Sequence, residues 1–296
     1  MAAIRFALYV DLMLLFGLPA FLLYNASEAD ALDARFTWTI RCLAVLASVL
    51  SILGFAMLCS DMAGLALAEL DRPMIDAVLW QTPIGIAWIM RMAALSACLV
   101  IAFVPGQLQP LRSVMLLLAS GIALGSLAWT GHGAAGGWGR MLADITHLLA
   151  AGLWIGALGA FMLLLTRLRG PEHLASALAA MLARFAVVGS LAVIAIVVSG
   201  AVNAWELVGP EHIRDLLASP YGRLLAIKVL VFVAMLGLAA ANRLRFTPQL
   251  ERSLATVHQG KAVASLRKSI ALEAVLAMAI LVLVAYLGLL EPPAAG

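Results

Sequence analysis

Apolar stretches of about twenty residues recur along the whole chain, at roughly 4–24, 36–59, 84–104, 111–130, 142–166, 184–205, 222–242 and 270–290. Each is long enough to cross a hydrocarbon layer of about 30 Å as a helix rising 1.5 Å per residue. Polar and basic residues gather in short loops between them, with longer connections only at about 60–83 and 243–269. The pattern predicts an all-α fold: a polytopic membrane helix bundle of about eight transmembrane helices, forming a single integral membrane domain over 1–296. The first run starts at Ile4 without a small-residue cleavage site and polar stretch behind it, so it reads as a retained helix rather than a signal peptide. Segment 61–80 places Leu65, Leu67, Leu70, Ile75 and Leu79 at helical spacing among Asp61, Glu69, Asp71 and Asp76. It predicts a short, acidic helix lying at the interface. The basic connection 243–269 reads as an amphipathic linker beside lipid headgroups.

Composition agrees with a bilayer setting: 64% of residues are hydrophobic and 12% charged, too apolar for a soluble chain of 296 residues. The basic residues set an orientation. Twelve (Arg35, Arg41, Arg112, Arg167, Arg169, Arg184, Arg243, Arg245, Arg252, Lys261, Arg267 and Lys268) fall in odd-numbered loops or at their helix ends, against five in the termini and even-numbered loops. By the positive-inside rule the odd loops are cytoplasmic and both termini periplasmic. The net charge of +3 is mostly this bias and gives no reason to invoke nucleic acid. There is no Gly-rich phosphate loop and no G-x-S-x-G elbow, which argues against an enzyme and against ATP-driven transport. Cys42, Cys59 and Cys98 sit singly in apolar segments and read as buried small residues. Gly152-x-x-x-Gly156 and Gly121-x-x-x-Gly125 have the spacing that allows close helix packing.

Charges inside a bilayer are expensive and need a partner or a purpose. The spans contain Asp11, Arg91, Asp144, His147, Lys228 and Glu273, with His132 and Asn203 at span ends. With the orientation above, Asp11 and Arg91 lie about seven residues in from the periplasmic end, Lys228 about six, and Asp144 and His147 two to five. Only Glu273 lies near the inner face, where it is expected to pair with cations of loop 243–269. Clustering at one depth predicts a polar cavity opening outward, with Asp11 or Asp144 as counter-ions for Arg91 and Lys228. His173, His212 and His258 fall in loops and read as solvent-exposed.

Asp144 and His147, three residues apart, share a helix face leading into an apolar segment, and His132 follows Gly131 at the mouth of the preceding span. Two imidazoles near thioether or thiol groups suit copper better than magnesium or calcium. Met57, Cys59 and Met62 at the outer end of span 2 are weaker candidate ligands, competing with a simple core-filling role. Asp144 could orient the His147 ring. No M-x-x-M tract or His-rich loop marks a copper store.

Gly131-His132, followed by Asp144-x-x-His147-Leu-Leu-Ala-Ala-Gly-Leu-Trp154-Ile-Gly156, resembles the CopD (PcoD-like) family of bacterial inner-membrane copper proteins. Arg184-Phe185, Ser199-Gly200-Ala-Val-Asn203-Ala, Tyr221-Gly222-x-Leu-Leu-x-x-Lys228, Asn242-Arg243 and Ser269-x-x-x-Glu273 continue it in order, and Thr82-Pro-Ile-Gly85-x-x-Trp88-x-x-Arg91 resembles that family's third span. The likeness covers the eight-span layout and is strongest over 120–290. Ala157 stands where a second glycine is expected after Trp154-Ile-Gly156. The resemblance implies a protein of copper resistance or homeostasis in the inner membrane, moving copper from periplasm to cytoplasm. It implies copper held by His132 and His147 with Asp144, Trp154, Asp11, Arg91, Asn203 and Lys228 in support. It also implies a separate periplasmic CopC-type copper carrier as a partner, since no such domain is fused here. Two other readings stay open: a b-type haem electron-transfer protein with axial histidines, and a non-transporting partner subunit whose polar cluster is purely structural.

Overall fold

Polar side chains followed by proline set the starts of three helices. Asp71 accepts from the Met74 N–H at 3.0 Å, Thr82 from Gly85 at 3.1 Å and Ser219 from Gly222 at 3.0 Å. Pro73, Pro83 and Pro220 occupy the first turns, where an amide N–H would have no helical partner anyway. These caps begin α3 (Arg72–Gln81), α4 (Pro83–Phe103) and α8 (Pro220–Ala241). The computed structural model describes residues 1–26, 29–104, 109–130, 137–167, 171–208, 216–253 and 259–290. Its other helices are α1 (Ala2–Tyr24), α2 (Ala29–Ala63), α5 (Gln109–Gly125), α6 (Gly137–Arg167), α7 (Pro171–Val208), α9 (Thr247–Ser253) and α10 (Gln259–Leu287), and no strand occurs among the described residues.

Eight of these helices are long and apolar enough to cross a membrane: all except α3 and α9. Several run past the limits of the apolar pattern. The span of α6 begins at Gly137, that of α7 at Ser176 and that of α10 at Gly260. Helical hydrogen bonding continues into polar flanks that hold no proline past the first turn.

The two long connections differ from expectation. The helix in the first covers only Arg72–Gln81. Gly64, with φ +65°, follows the end of α2, and Leu67 sits in a separate 3-10 turn, Leu67–Glu69. In the second, α8 passes through a π turn, Asn242–Phe246, directly into α9. Leu250 there is fully buried, so this part is packed structure rather than a solvated linker.

The bundle forms around α1, which packs against α6, α5, α2 and α10. Two-thirds (67%) of its apolar window is buried, against 6% for the span that contains α8, so α1 is central and α8 peripheral. A Cβ on Gly17 would strike the backbone of Gly152 and Gly156, and Phe16 fills the space left by Gly121 and Gly152. The expected glycine spacing on α6 is thus a backbone crossing. Arg5 donates to the Gly288 carbonyl, so the start of α1 and the end of α10 share one face of the bundle, here called the N-terminal face. At the opposite face Arg41 Nε and Arg112 Nη2 both donate to the Ala102 carbonyl, at 2.8 and 2.9 Å. They meet the negative end of the α4 dipole. Cys59 and Cys98 are buried as expected; Cys42 is exposed, on a face of α2 that points away from the core.

Candidate functional site

Asp144, His147, Ala151, Trp154 and Ile155 follow one another at helical spacing down one face of α6. His147 Nδ1 lies 3.1 Å from Ser199 Oγ on α7. Ser199 spends its own hydrogen on the Ala195 carbonyl, at 2.5 Å. A hydroxyl has one proton to give, so its oxygen accepts from Nδ1–H. The Ile196 carbonyl is a further backbone partner of the ring. With Nδ1 carrying the proton in this arrangement, Nε2 is the nitrogen left with a lone pair. Gly200 lies against the ring, and a Cβ there would sit 3.4 Å from His147 Cε1, at the near limit of ordinary contact.

Asp144 was expected to orient this ring; among the described residues the side chain hydrogen-bonded to it is Ser199. Asp144 instead has Arg140, Lys228 and the Asn203 side chain as its electrostatic and hydrogen-bonding neighbours. Asn203 Oδ1 is buried without a partner among the described residues, so the amide gives Asp144 its N–H side. Tyr9 on α1 lies in electrostatic range of both Asp144 and Arg91, which joins two halves of a polar layer. Arg91 Nε donates to Ser126 Oγ at 2.9 Å.

Asp11 stands outside that layer. It is buried, and neither of its carboxyl oxygens has a hydrogen-bond partner among the described residues. The expected pairing of Asp11 with Arg91 or Lys228 is therefore absent. Tyr9 and Asp11, two residues apart on α1, point to different sides of the helix, and Tyr9 faces the polar layer.

Below the layer lies a cavity of about 690 Å³, walled by α6, α7, α8 and α10. His147 and Lys228 line its upper part, and Trp154 and Met235 lie seven residues further along α6 and α8. Two helical turns separate the levels, roughly 10 Å along the axis. The remaining lining is apolar, and it places a thioether below the imidazole. Met235 did not stand out in the sequence because the chain has thirteen methionines, most of them in the apolar runs.

At the inner end of the cavity, Trp154 Nε1 donates to Glu273 Oε1 at 2.9 Å, and Asn242 Nδ2 donates to Glu273 Oε2 at 2.8 Å. The expected pairing of Glu273 with the basic connection is thereby replaced: two neutral N–H donors hold it from α6 and the π turn. The ring of Trp154 is fixed from its other side by Phe185, edge-on at 5.8 Å.

The weaker candidate ligands on α2 are not brought to His147. Met62 is exposed, Cys59 is buried, and α2 packs chiefly on α1 and α4 rather than on the α6–α7 pair. His132 lies outside the described residues, as do the side chains of His173, His212 and His258. Among the described residues no group of three or more His, Cys, Asp or Glu is placed to cage a metal ion.

Residues 1–142 match the family described as "Copper resistance protein D-like, N-terminal domain", and residues 179–287 match "Copper resistance protein D". A curated relative, "Copper resistance protein D" of Pseudomonas syringae pv. tomato, is 39% identical over 98% of this chain and 96% of its own length. The chain belongs to the copper resistance protein D family. No solved structure matches it.

For this member of the copper resistance protein D family, the second matched segment contains Ser199, Asn203, Lys228, Met235, Asn242 and Glu273. His147 and Trp154 lie between the two matched segments, within the span of the full-length relative. Ser199 and Asn242 were visible in the sequence only as parts of ordered motifs, and Glu273 also as a charge within a span. Nothing local says which ring or carboxylate each of them serves.

Proposed function

We propose that this chain handles copper in a bacterial inner membrane, passing it from the periplasm to the cytoplasm and so serving copper homeostasis and resistance. The observation that carries the reading is the His147 imidazole, held at Nδ1 by the Ser199 hydroxyl and lining the head of the cavity, an arrangement that would leave Nε2 to bind a metal. A neutral imidazole with its other nitrogen fixed is the usual form of a metal-binding histidine. Met235 below it adds a soft thioether, the donor type that copper(I) favours over harder ions.

In this reading copper is cargo. The positive-inside bias turns the N-terminal face toward the periplasm. His132 and His147 take copper at that face, from a separate periplasmic carrier of CopC type. Asp144 offsets Lys228 beside the path, so the cavity head does not repel a cation outright. Met235 receives the ion deeper in.

The test is copper content and visible spectrum of the purified protein, together with copper uptake by whole cells. Copper binding that is lost in His147→Ala, with uptake lost in parallel, is the expected result. A Soret band at stoichiometric haem, or uptake indifferent to His147→Ala and His132→Ala, would overturn it.

A further inference from the structure

We infer that Glu273 is a proton-exchange site set behind the cavity wall, linked through the Trp154 indole to the cation that occupies the cavity. The identity of that cation rests on the copper reading above; the proton site does not.

Glu273 is 2% exposed, in the middle of α10, and the membrane interior makes such a carboxylate expensive without a purpose. Its partners are Trp154 and Asn242, both neutral. The charged groups on the elements packed around it turn elsewhere. Arg184 of α7 donates to Asn25, and Arg243 of the π turn donates to Ser190. Arg267 and Lys268 on α10, and Glu251 and Arg252 on α9, are exposed. From α1 the nearby titratable group at this end is Tyr24, whose hydroxyl is buried without a partner among the described residues.

Asn242 supplies the second half of the argument. Its Nδ2 donates to Glu273, while its Oδ1 is buried with no partner among the described residues. When Oε2 takes a proton, the carboxylate becomes a neutral acid and Oε2 turns from acceptor to donor. Half a turn of the Asn242 amide then presents Oδ1 to that O–H. One neighbour thus satisfies both protonation states, and only a proton changes hands. Asn242 sits in a π turn, a backbone form that recurs at functional positions.

Trp154 connects this site to the cavity because its ring lines the wall while its N–H holds Oε1. A cation at the level of Met235 favours the ionised carboxylate, and by reciprocity protonation of Glu273 disfavours the cation. Cation arrival therefore expels the proton.

Glu273→Gln is the discriminating variant. Its amide oxygen still accepts from Trp154 and its amide N–H reaches Asn242 Oδ1, so a purely structural role survives it. Two measurements apply. Infrared difference spectra of the metal-free purified protein on acidification should show a protonated-carboxyl band that is absent from Glu273→Gln. That band should move in Trp154→Phe, which keeps the ring and loses the N–H. Absence of the band in the unsubstituted protein would overturn the proton site. Addition of saturating copper(I) should release protons from the unsubstituted protein; in Glu273→Gln the release should fall, and copper(I) affinity should drop to that of the protonated protein. Equal release by both proteins would overturn the link to the cavity. If the band is present but no copper binds, the copper reading fails and the proton site stands.

Discussion

Gly17 on α1 and Gly156 on α6 meet backbone to backbone, with no space for a Cβ on either. This crossing holds the central helix against the helix that carries His147 and Trp154. Gly156→Ala or Gly17→Ala should destabilise the bundle by about 1–3 kcal/mol, as overpacking does. The midpoint of thermal unfolding in detergent would fall. An unchanged midpoint would mean that the two helices separate more easily than the packing implies.

Ser199 Oγ holds the imidazole at Nδ1, 3.1 Å away. Ser199→Ala removes the acceptor and lets the ring turn. Copper affinity should fall by about 10- to 100-fold, the usual effect of losing a metal ligand's supporting partner, while the fold is kept. Equilibrium competition with a copper chelator reads this out, and an unaltered affinity would exclude the Ser199 role.

Asp11 has no partner for either oxygen among the described residues. Asp11→Leu should therefore leave folding intact and raise stability by about 1–3 kcal/mol, the penalty of an unsatisfied buried polar group. A marked loss of stability would show that Asp11 pairs with a cation after all.

Arg91 depends on Ser126 for its Nε hydrogen bond, and its Nη2 is already buried without a partner among the described residues. Ser126→Ala should cost about 1.5–3 kcal/mol, because a hydrogen bond to a charged group is lost in a buried setting. Denaturation midpoints of the single variants and of Ser126→Ala with Arg91→Met would check it. The double variant should be less destabilised than the two effects summed.

Orientation is open to direct labelling. Asp76→Cys in the connection before α4, in a background lacking the native cysteines, should react with a membrane-impermeant maleimide from the periplasmic side. Arg252→Cys on α9 should react only after the membrane is opened. The reverse pattern would invert the bundle and place His147 toward the cytoplasm.

Much of the architecture was legible in order along the chain. Runs of twenty apolar residues and glycines four apart on α6 are local signals, and each produces a local result. Partner choice was less legible. Asp144 was read as a support for His147, three residues away on the same helix, yet α7 supplies Ser199 to the ring and Asn203 to the carboxylate. Glu273 was assigned to nearby cations in sequence, and its donors come from residues 119 and 31 positions distant.

By itself the sequence determined that the chain crosses a membrane about eight times and which residues carry polar groups into the apolar spans. Hydrocarbon thickness and the helical rise convert composition directly into spans. The family, too, was readable from ordered motifs. Only the tertiary structure decided which polar groups meet: His147 with Ser199, Glu273 with Trp154 and Asn242, and Asp11 with nothing described. Those choices depend on how helices rotate and cross, and that is set by glycine contacts and ring packing between segments far apart in the chain. No residue records its facing neighbour in its own stretch of sequence.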